Sequence, residues 1–214
     1  MKKSRLDVIL DVLDDEYPER ESLLDYSNPF ELMVAVSLSA QTTDAAVNRV
    51  TPVLFRRWPD AESLAQAPLS ELEEVVHSLG FFRQKAKNLV GASQRILSKF
   101  KGEVPSSMND LTSLPGVGRK SANVIRGHLW GKPGIIVDTH FGRVCRRLGL
   151  TTSKDPVKVE KEIGEMVALE RQHAFSMTAN FHGRRYCHAR KPLCEDCPLS
   201  PLCPQLGVEG TGSI

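Results

Sequence analysis

A chain of 214 residues is long enough to bury one large or two small hydrophobic cores. Its 28 Lys and Arg residues nearly balance 26 Asp and Glu residues, and the net charge of +2 does not by itself indicate a nucleic-acid-binding protein. The N-terminal residues are charged and no long apolar segment follows. We therefore expect a cytoplasmic protein without a signal peptide or a membrane span.

The charge is unevenly distributed along the chain. Residues 1–115 carry 13 Lys and Arg against 17 Asp and Glu, whereas residues 116–214 carry 15 against 9. A basic second half is compatible with a face that binds phosphate groups. The alternative is an uneven set of solvated surface charges.

Helical periodicity dominates the chain from its first residues onward. Apolar residues at helical spacing predict a helix near the N-terminus and further helices over 44–57 and 84–100. Asn28 is a predicted N-cap, and the helix over 30–40 that follows it is apolar nearly all round, which places it at the centre of a core. Ser70 is predicted to cap another helix. No segment alternates convincingly as a strand, and the sequence predicts an all-α fold.

The order of the predicted helices indicates two lobes. Six helices between positions 28 and 131 are enough for a bundle with its own core. Pro133 and Gly134 then interrupt the chain. We predict one domain over 23–132, and a second, discontinuous domain formed by 1–22 and 133–214.

A glycine-rich hairpin lies between two of these helices, in the segment Leu-Pro-Gly-Val-Gly-Arg-Lys that spans 114–120. Gly116 and Gly118 permit a tight turn, and the N–H groups of the helix that follows can bind an anion such as a DNA phosphate. Arg119 and Lys120 lie in the first turn of that helix. The alternative is a turn that only joins two core helices.

The cysteines provide a second signal. Four of the five follow the pattern Cys187-x6-Cys194-x2-Cys197-x5-Cys203. In a protein predicted to be cytoplasmic, metal ligation is favoured over disulfides. Zinc sites commonly use two C-x2-C pairs and this pattern has one, so the spacing favours a [4Fe–4S] cluster over zinc or incidental cysteines. Cys145 lies on an apolar helical face and is interpreted as a core residue.

Between the first two cysteines of that pattern the chain carries Arg190 and Lys191. A loop tied by a metal would display both cations, and we interpret them as phosphate contacts that are independent of base sequence. The alternative is an ordinary solvated basic loop.

Three motifs in this order resemble the bacterial endonuclease III family of helix-hairpin-helix DNA glycosylases with AP-lyase activity. They are the hairpin at 114–120, the Val-Asp-Thr-His segment at 137–140 and the cysteine pattern, and the similarity extends from position 38 to position 203. The resemblance implies a six-helix barrel domain in the middle of the chain, and a second domain from both termini that holds a [4Fe–4S] cluster.

The resemblance also implies a reaction. Enzymes of this family flip an oxidised pyrimidine out of duplex DNA, release it, and cut the strand 3′ of the abasic site by β-elimination through a Schiff base. Lys120 matches the family's nucleophile and Asp138 its catalytic carboxylate. Without the resemblance, Lys120 could only pair with a phosphate and Asp138 could be only an N-cap.

Further positions match residues that contact DNA in the family. Gln41 matches the residue that fills the space vacated by the flipped base, and its alternative role is that of a surface amide. Phe81 matches a wedge that is often aliphatic in relatives, although Phe is a suitable intercalating side chain. His140 either contacts phosphate or packs in the fold.

Two other functions remain open from the sequence. A monofunctional adenine glycosylase keeps the aspartate and the cluster but lacks the lysine at position 120. A non-catalytic DNA-binding protein with a structural metal would bind DNA and never cut it. We expect a monomer that acts on double-stranded DNA with damaged bases or abasic sites.

Overall fold

The computed structural model describes residues 3–19 and 22–208, and within these ranges the chain is helical and contains no strand, which confirms the all-α prediction. The helices are α1 (Arg5–Glu16), α2 (Pro29–Leu38), α3 (Asp44–Arg57), α4 (Ala61–Ala65), α5 (Leu69–Val76), α6 (Phe82–Phe100), α7 (Met108–Ser113), α8 (Arg119–Trp130), α9 (Thr139–Arg147), α10 (Pro156–Met166) and α11 (Leu169–Arg185), followed by a 3-10 helix at Ser200–Leu202. None of these described helices is long and apolar enough to cross a membrane.

The chain separates into two compact units, one formed by residues 21–131 and the other by residues 1–20 together with 132–214. Each unit has its own cluster of buried apolar side chains. We refer to them below as the central unit and the terminal unit.

The central unit is built around α2. Asn28 caps this helix by accepting a hydrogen bond from the Glu31 N–H at 3.0 Å, and Pro29 occupies its first position, where a missing N–H costs nothing. Phe30 and all residues of 32–38 are buried, as expected for a helix that is apolar on every side. Helices α3, α6 and α8 pack against α2, and α7 packs against α8.

Two details of the central unit differ from the sequence prediction. The segment 28–131 contains seven described helices and not six, because α4 is only five residues long and too short to show a periodic pattern. Helix α5 begins at Leu69 directly after Pro68, so Ser70 lies inside the helix and the predicted cap does not form.

The terminal unit packs α1 and α9 against α11. Its core includes Phe141 and Phe175, whose ring centroids lie 5.2 Å apart. At its edge, Arg171 on α11 donates to Asp11 and Asp14 on α1 at 2.9 and 2.7 Å. The N-terminal helix is therefore held against a helix more than 150 residues later in the chain.

Candidate functional site

The hairpin between α7 and α8 is anchored by its apolar residues. Leu114 and Val117 are both buried, and the Val117 N–H donates to the Leu114 carbonyl at 3.1 Å. Gly116 has a φ of +81°, which an L-residue adopts only at a cost, and a Cβ there would lie 3.0 Å from Cβ of Asn88. The turn therefore favours glycine over any other residue at position 116.

Helix α8 begins without a side-chain cap, because its N-cap residue is Gly118. Arg119 and Lys120 are the first two residues of α8, and both are exposed. A helix start without a side-chain cap can offer backbone N–H groups to an anionic ligand, and two cations lie in the same turn.

Asp138 is the N-cap of α9. Its Oδ1 accepts a hydrogen bond from the Phe141 N–H at 2.7 Å, and its Oδ2 accepts one from the side-chain amide of Asn180 on α11. Both oxygens of the carboxylate therefore have a donor. The capping role that the sequence left open is present in the structure, and it does not consume the whole acceptor capacity of an ionised carboxylate.

Gln41 and Phe81 share an unusual backbone conformation in the central unit. Their φ angles are +53° and +58°, in the left-handed region that residues other than glycine rarely adopt. Both side chains are exposed, and the Phe81 side chain reaches 70 % exposure. An exposed side chain on a backbone in this rarely adopted conformation is a candidate for a functional surface.

Lys85 contacts the turn that carries Gln41. This lysine lies on α6, is buried, and its Nζ donates to Oγ1 of Thr42 at 2.5 Å. Burial lowers the pKa of Lys85 below its ordinary value, because desolvation disfavours the charged form. Lys85 was not predicted from the sequence, where a lysine on an amphipathic helix indicates a solvated face.

The remaining predicted DNA contacts lie in the terminal unit. Arg190 and Lys191 are exposed, and Lys191 has a φ of +49°. His140 is half-buried, and its Nδ1 lies 3.1 Å from Nη2 of Arg143. Arg143 in turn donates to the Gly183 carbonyl at 2.8 Å. Arg143 therefore holds the half-buried His140 ring at the start of α9.

The four predicted cysteine ligands line a single cavity in the terminal unit. Among the described residues, no three His, Cys, Asp or Glu side chains come close enough to share one metal ion. A [4Fe–4S] cube binds each thiolate through a different iron, so its ligands surround a volume, and the arrangement fits such a cluster. The cavity is lined by Cys187, Cys194, Cys197 and Cys203 together with Val144, Arg147, Leu148, His182, Tyr186, Pro192, Leu193, Leu199, Ser200, Gln205 and Val208.

Two arginines of α9, about 40 positions earlier in the chain, hold this loop. Arg147 on α9 is buried, and its guanidinium donates to the carbonyls of His188 and Ala189 at 2.6 and 3.1 Å and to Sγ of Cys187 at 3.2 Å. Arg143 donates to the Cys187 carbonyl at 2.8 Å. These hydrogen bonds tie the segment around Cys187 to α9.

A buried histidine lies against the same loop. Nε2 of His182 is 3.3 Å from Sγ of Cys197, and its Nδ1 is 3.4 Å from the Tyr17 hydroxyl. Burial lowers the pKa of His182 to about 4, and it raises the pKa of the Cys197 thiol to about 11. Neither Arg147 nor His182 was predicted from the sequence, and both lie on helix faces that the structure buries.

Comparisons with known proteins agree with this geometry. Residues 34–168 match the family model of the HhH-GPD superfamily base excision DNA repair proteins, and residues 187–203 match the iron-sulfur binding domain of endonuclease III. The chain is 48 % identical to Endonuclease III of Synechocystis sp., with 95 % of this chain and 93 % of that protein covered. It is 36 % identical to Endonuclease III of Escherichia coli K12, with 95 % and 96 % covered.

Solved structures of similar fold contain DNA. A trapped Endonuclease III–DNA covalent intermediate superposes with a TM-score of 0.88 at 39 % identity, covering 95 % of this chain and 97 % of that chain. A non-covalent Endonuclease III–DNA complex gives the same values. The fold and the site thus define a helix-hairpin-helix base excision repair enzyme.

Within that class, the chain belongs to the endonuclease III family. It is a DNA glycosylase with AP-lyase activity that binds DNA and carries a [4Fe–4S] cluster. The predictions of family, activity and cofactor are confirmed.

Proposed function

We propose that this enzyme removes oxidised pyrimidines from duplex DNA and cuts at the resulting abasic sites, acting as a monomer in the cytoplasm. The observation that carries the proposal is the position of Lys120. It is exposed in the first turn of α8, directly after the glycine-rich hairpin, and no side chain caps this helix. The open helix start binds the phosphate backbone, and the adjacent amine is available for reaction at the sugar.

Lys120 is the proposed nucleophile. Its Nζ attacks C1′ of the flipped nucleotide, the bond from C1′ to the base breaks, and the base leaves with the bonding electrons and a proton. The C1′–O4′ bond of the sugar ring then breaks, O4′ takes the remaining proton of the nitrogen, and an imine joins the nitrogen to C1′. Loss of a C2′ proton and of the 3′ phosphate then cuts the strand on the 3′ side. Hydrolysis of the imine releases the enzyme.

Asp138 is the proposed catalytic carboxylate. Removal of a base develops positive charge at the sugar, and a fixed negative charge stabilises that transition state. A carboxylate also accepts the proton that Lys120 must lose. The hydrogen bonds from Phe141 and Asn180 hold this carboxylate at the start of α9 and leave it room to accept one more.

We assign the distortion of DNA to the exposed side chains of Phe81 and Gln41 in the central unit. The exposed ring of Phe81 gains burial when it enters the base stack, and Gln41 fills the space that the flipped nucleotide leaves. Phosphate contacts are assigned to the hairpin, to the start of α9 and to the cysteine loop. The proposed DNA-binding residues are Gln41, Phe81, Gly116, Gly118, Arg119, His140, Arg190 and Lys191.

The two units divide these tasks. We assign the central unit to the barrel domain with its hairpin and the terminal unit to the cluster domain, with ligands Cys187, Cys194, Cys197 and Cys203. When bound, the [4Fe–4S] cluster supplies a cross-link that fixes the loop, and with it Arg190 and Lys191.

Duplexes that carry single defined lesions test the proposed reaction, with free base and strand cleavage resolved separately. We expect release of oxidised pyrimidines with cleavage on the 3′ side, loss of both in Lys120→Gln, and full activity in Lys99→Gln, which removes an exposed lysine from α6. Release of adenine with an intact strand would indicate a monofunctional adenine glycosylase. Binding without either product would indicate a non-catalytic protein.

A further inference from the structure

We propose that Asn180 is a positioning residue that holds the carboxylate of Asp138 in its reactive orientation. This inference rests on the proposed function, in which Asp138 is the catalytic carboxylate. Asn180 lies on α11, about 40 positions from Asp138 in the sequence, and its side-chain amide reaches Oδ2 of that carboxylate.

The two donors to Asp138 act at opposite ends of the carboxylate. The Phe141 N–H at 2.7 Å fixes Oδ1, but this capping bond alone allows the carboxylate plane to turn about it. The amide of Asn180 fixes Oδ2 and removes that freedom. A reacting group that is held in one orientation avoids the entropic cost of finding it in the transition state.

The orientation of the amide follows from its second partner. Nε of Arg184, one turn further along α11, lies 3.0 Å from Oδ1 of Asn180. An arginine side chain can only donate, so it must face the amide oxygen, and the amide nitrogen is then directed to Asp138. The pair Arg184–Asn180 thus presents a donor to the carboxylate and not an acceptor that would repel it.

Close packing of the two helices brings this amide into reach. A Cβ at Gly183 would lie only 2.8 Å from Cβ of His140 and 3.2 Å from its Cα. The absence of that Cβ lets α11 approach the first turn of α9, and Asn180 lies three positions earlier on the same helical face. The approach therefore places the amide beside the N-cap of α9.

A double-mutant cycle tests this role, with Asn180→Leu, Asp138→Asn and the double variant measured in the iron-loaded protein. Asn180→Leu has a similar volume without a donor. We expect it to slow single-turnover base excision about 10- to 100-fold, the range for a hydrogen bond to a charged group, with unchanged affinity for the duplex. β-Elimination at a ready-made abasic site should slow much less. Iron absorbance and helical circular dichroism check that the variants are folded.

The cycle separates positioning from general structural support. We expect Asn180→Leu to slow excision less than about twofold further in the Asp138→Asn background, because the group that it positions is already altered. Equal losses in both backgrounds, or normal excision by Asn180→Leu, would overturn the inference. If Asp138→Asn alone excised the base at the wild-type rate, Asp138 would not be the catalytic carboxylate, and the proposed function would be wrong on that point.

Discussion

The hairpin of the central unit and the cysteine loop of the terminal unit differ in how far along the chain the partners of their hydrogen bonds lie. The partners that shape the hairpin are mostly close in sequence: Ser107 caps α7 through the Asp110 N–H at 3.1 Å, and the Val117 N–H donates to the Leu114 carbonyl. Residues far away hold the cysteine loop. Arg147 reaches across about 40 positions to bind it, and Arg5 across nearly 200 to donate to the Leu202 carbonyl at 3.0 Å.

This difference predicts how each region fails. The cysteine loop has little regular secondary structure. It therefore depends on its metal and on the arginines that donate hydrogen bonds to its carbonyl groups. The turn of the hairpin has little tolerance for a side chain at Gly116, where a Cβ would meet Asn88 of α6. Substitutions in each region test this contrast.

The largest effect is expected from loss of a cluster ligand. Cys197→Ser should abolish the cluster, and with it the folded loop and DNA binding together, because metal binding supplies folding energy. Iron and sulfide analysis should find about four irons per chain in the wild type and none in the variant. Cys145→Ala, in the buried core of the same unit, is the matched control and should retain its iron. Stoichiometric zinc in the wild-type protein would contradict the account.

A smaller loss is expected from Arg147→Met. This change removes a buried guanidinium and leaves the carbonyls of His188 and Ala189 without their donor. We expect the free energy of unfolding to fall by about 3 kcal/mol, and the cluster to be lost faster in the presence of a chelator. Denaturant titration and decay of the cluster absorbance measure both. A variant as stable as wild type would show that the cluster alone holds the loop.

In the hairpin, a single added methyl group should be enough to lower stability. Gly116→Ala places a Cβ at a φ of +81° and should cost about 1–2 kcal/mol of unfolding free energy and weaken DNA binding. Gly118→Ala is the control for the unfolding free energy alone, because a Cβ there has no atom within 4 Å and the residue has a φ of −85°. It should cost only about 0.5 kcal/mol, the difference between glycine and alanine at an N-cap. Equal losses would contradict the importance of the left-handed turn.

The smallest effect concerns the surface of the cysteine loop. If Lys191 contacts a phosphate, Lys191→Ala should weaken binding to damaged and undamaged duplexes about equally. The slope of log affinity against log salt concentration should become shallower by roughly one charge. Lys158→Ala removes an exposed charge from α10 and should leave the slope unchanged. An unchanged slope in Lys191→Ala would assign Lys191 to the solvated surface.

The same contrast explains what the sequence could predict. Caps, glycines and helical periodicity act within a few residues, so α2, the hairpin and the N-cap at Asp138 were accessible before the structure. The partners of Arg147, His182 and Asn180 lie on other elements, and their contacts depend on how the helices pack. Helix α4 was missed for a different reason: five residues are too few to show a period.

Borohydride trapping tests whether Lys120 is the covalent nucleophile. Reduction during turnover on a duplex with an oxidised pyrimidine converts the imine into a stable amine that joins protein to DNA. We expect a trapped adduct for the wild type and for Lys99→Gln, and none for Lys120→Gln, which should retain nearly full DNA affinity. An adduct of undiminished yield in Lys120→Gln would show that another amine attacks the sugar and would contradict the account.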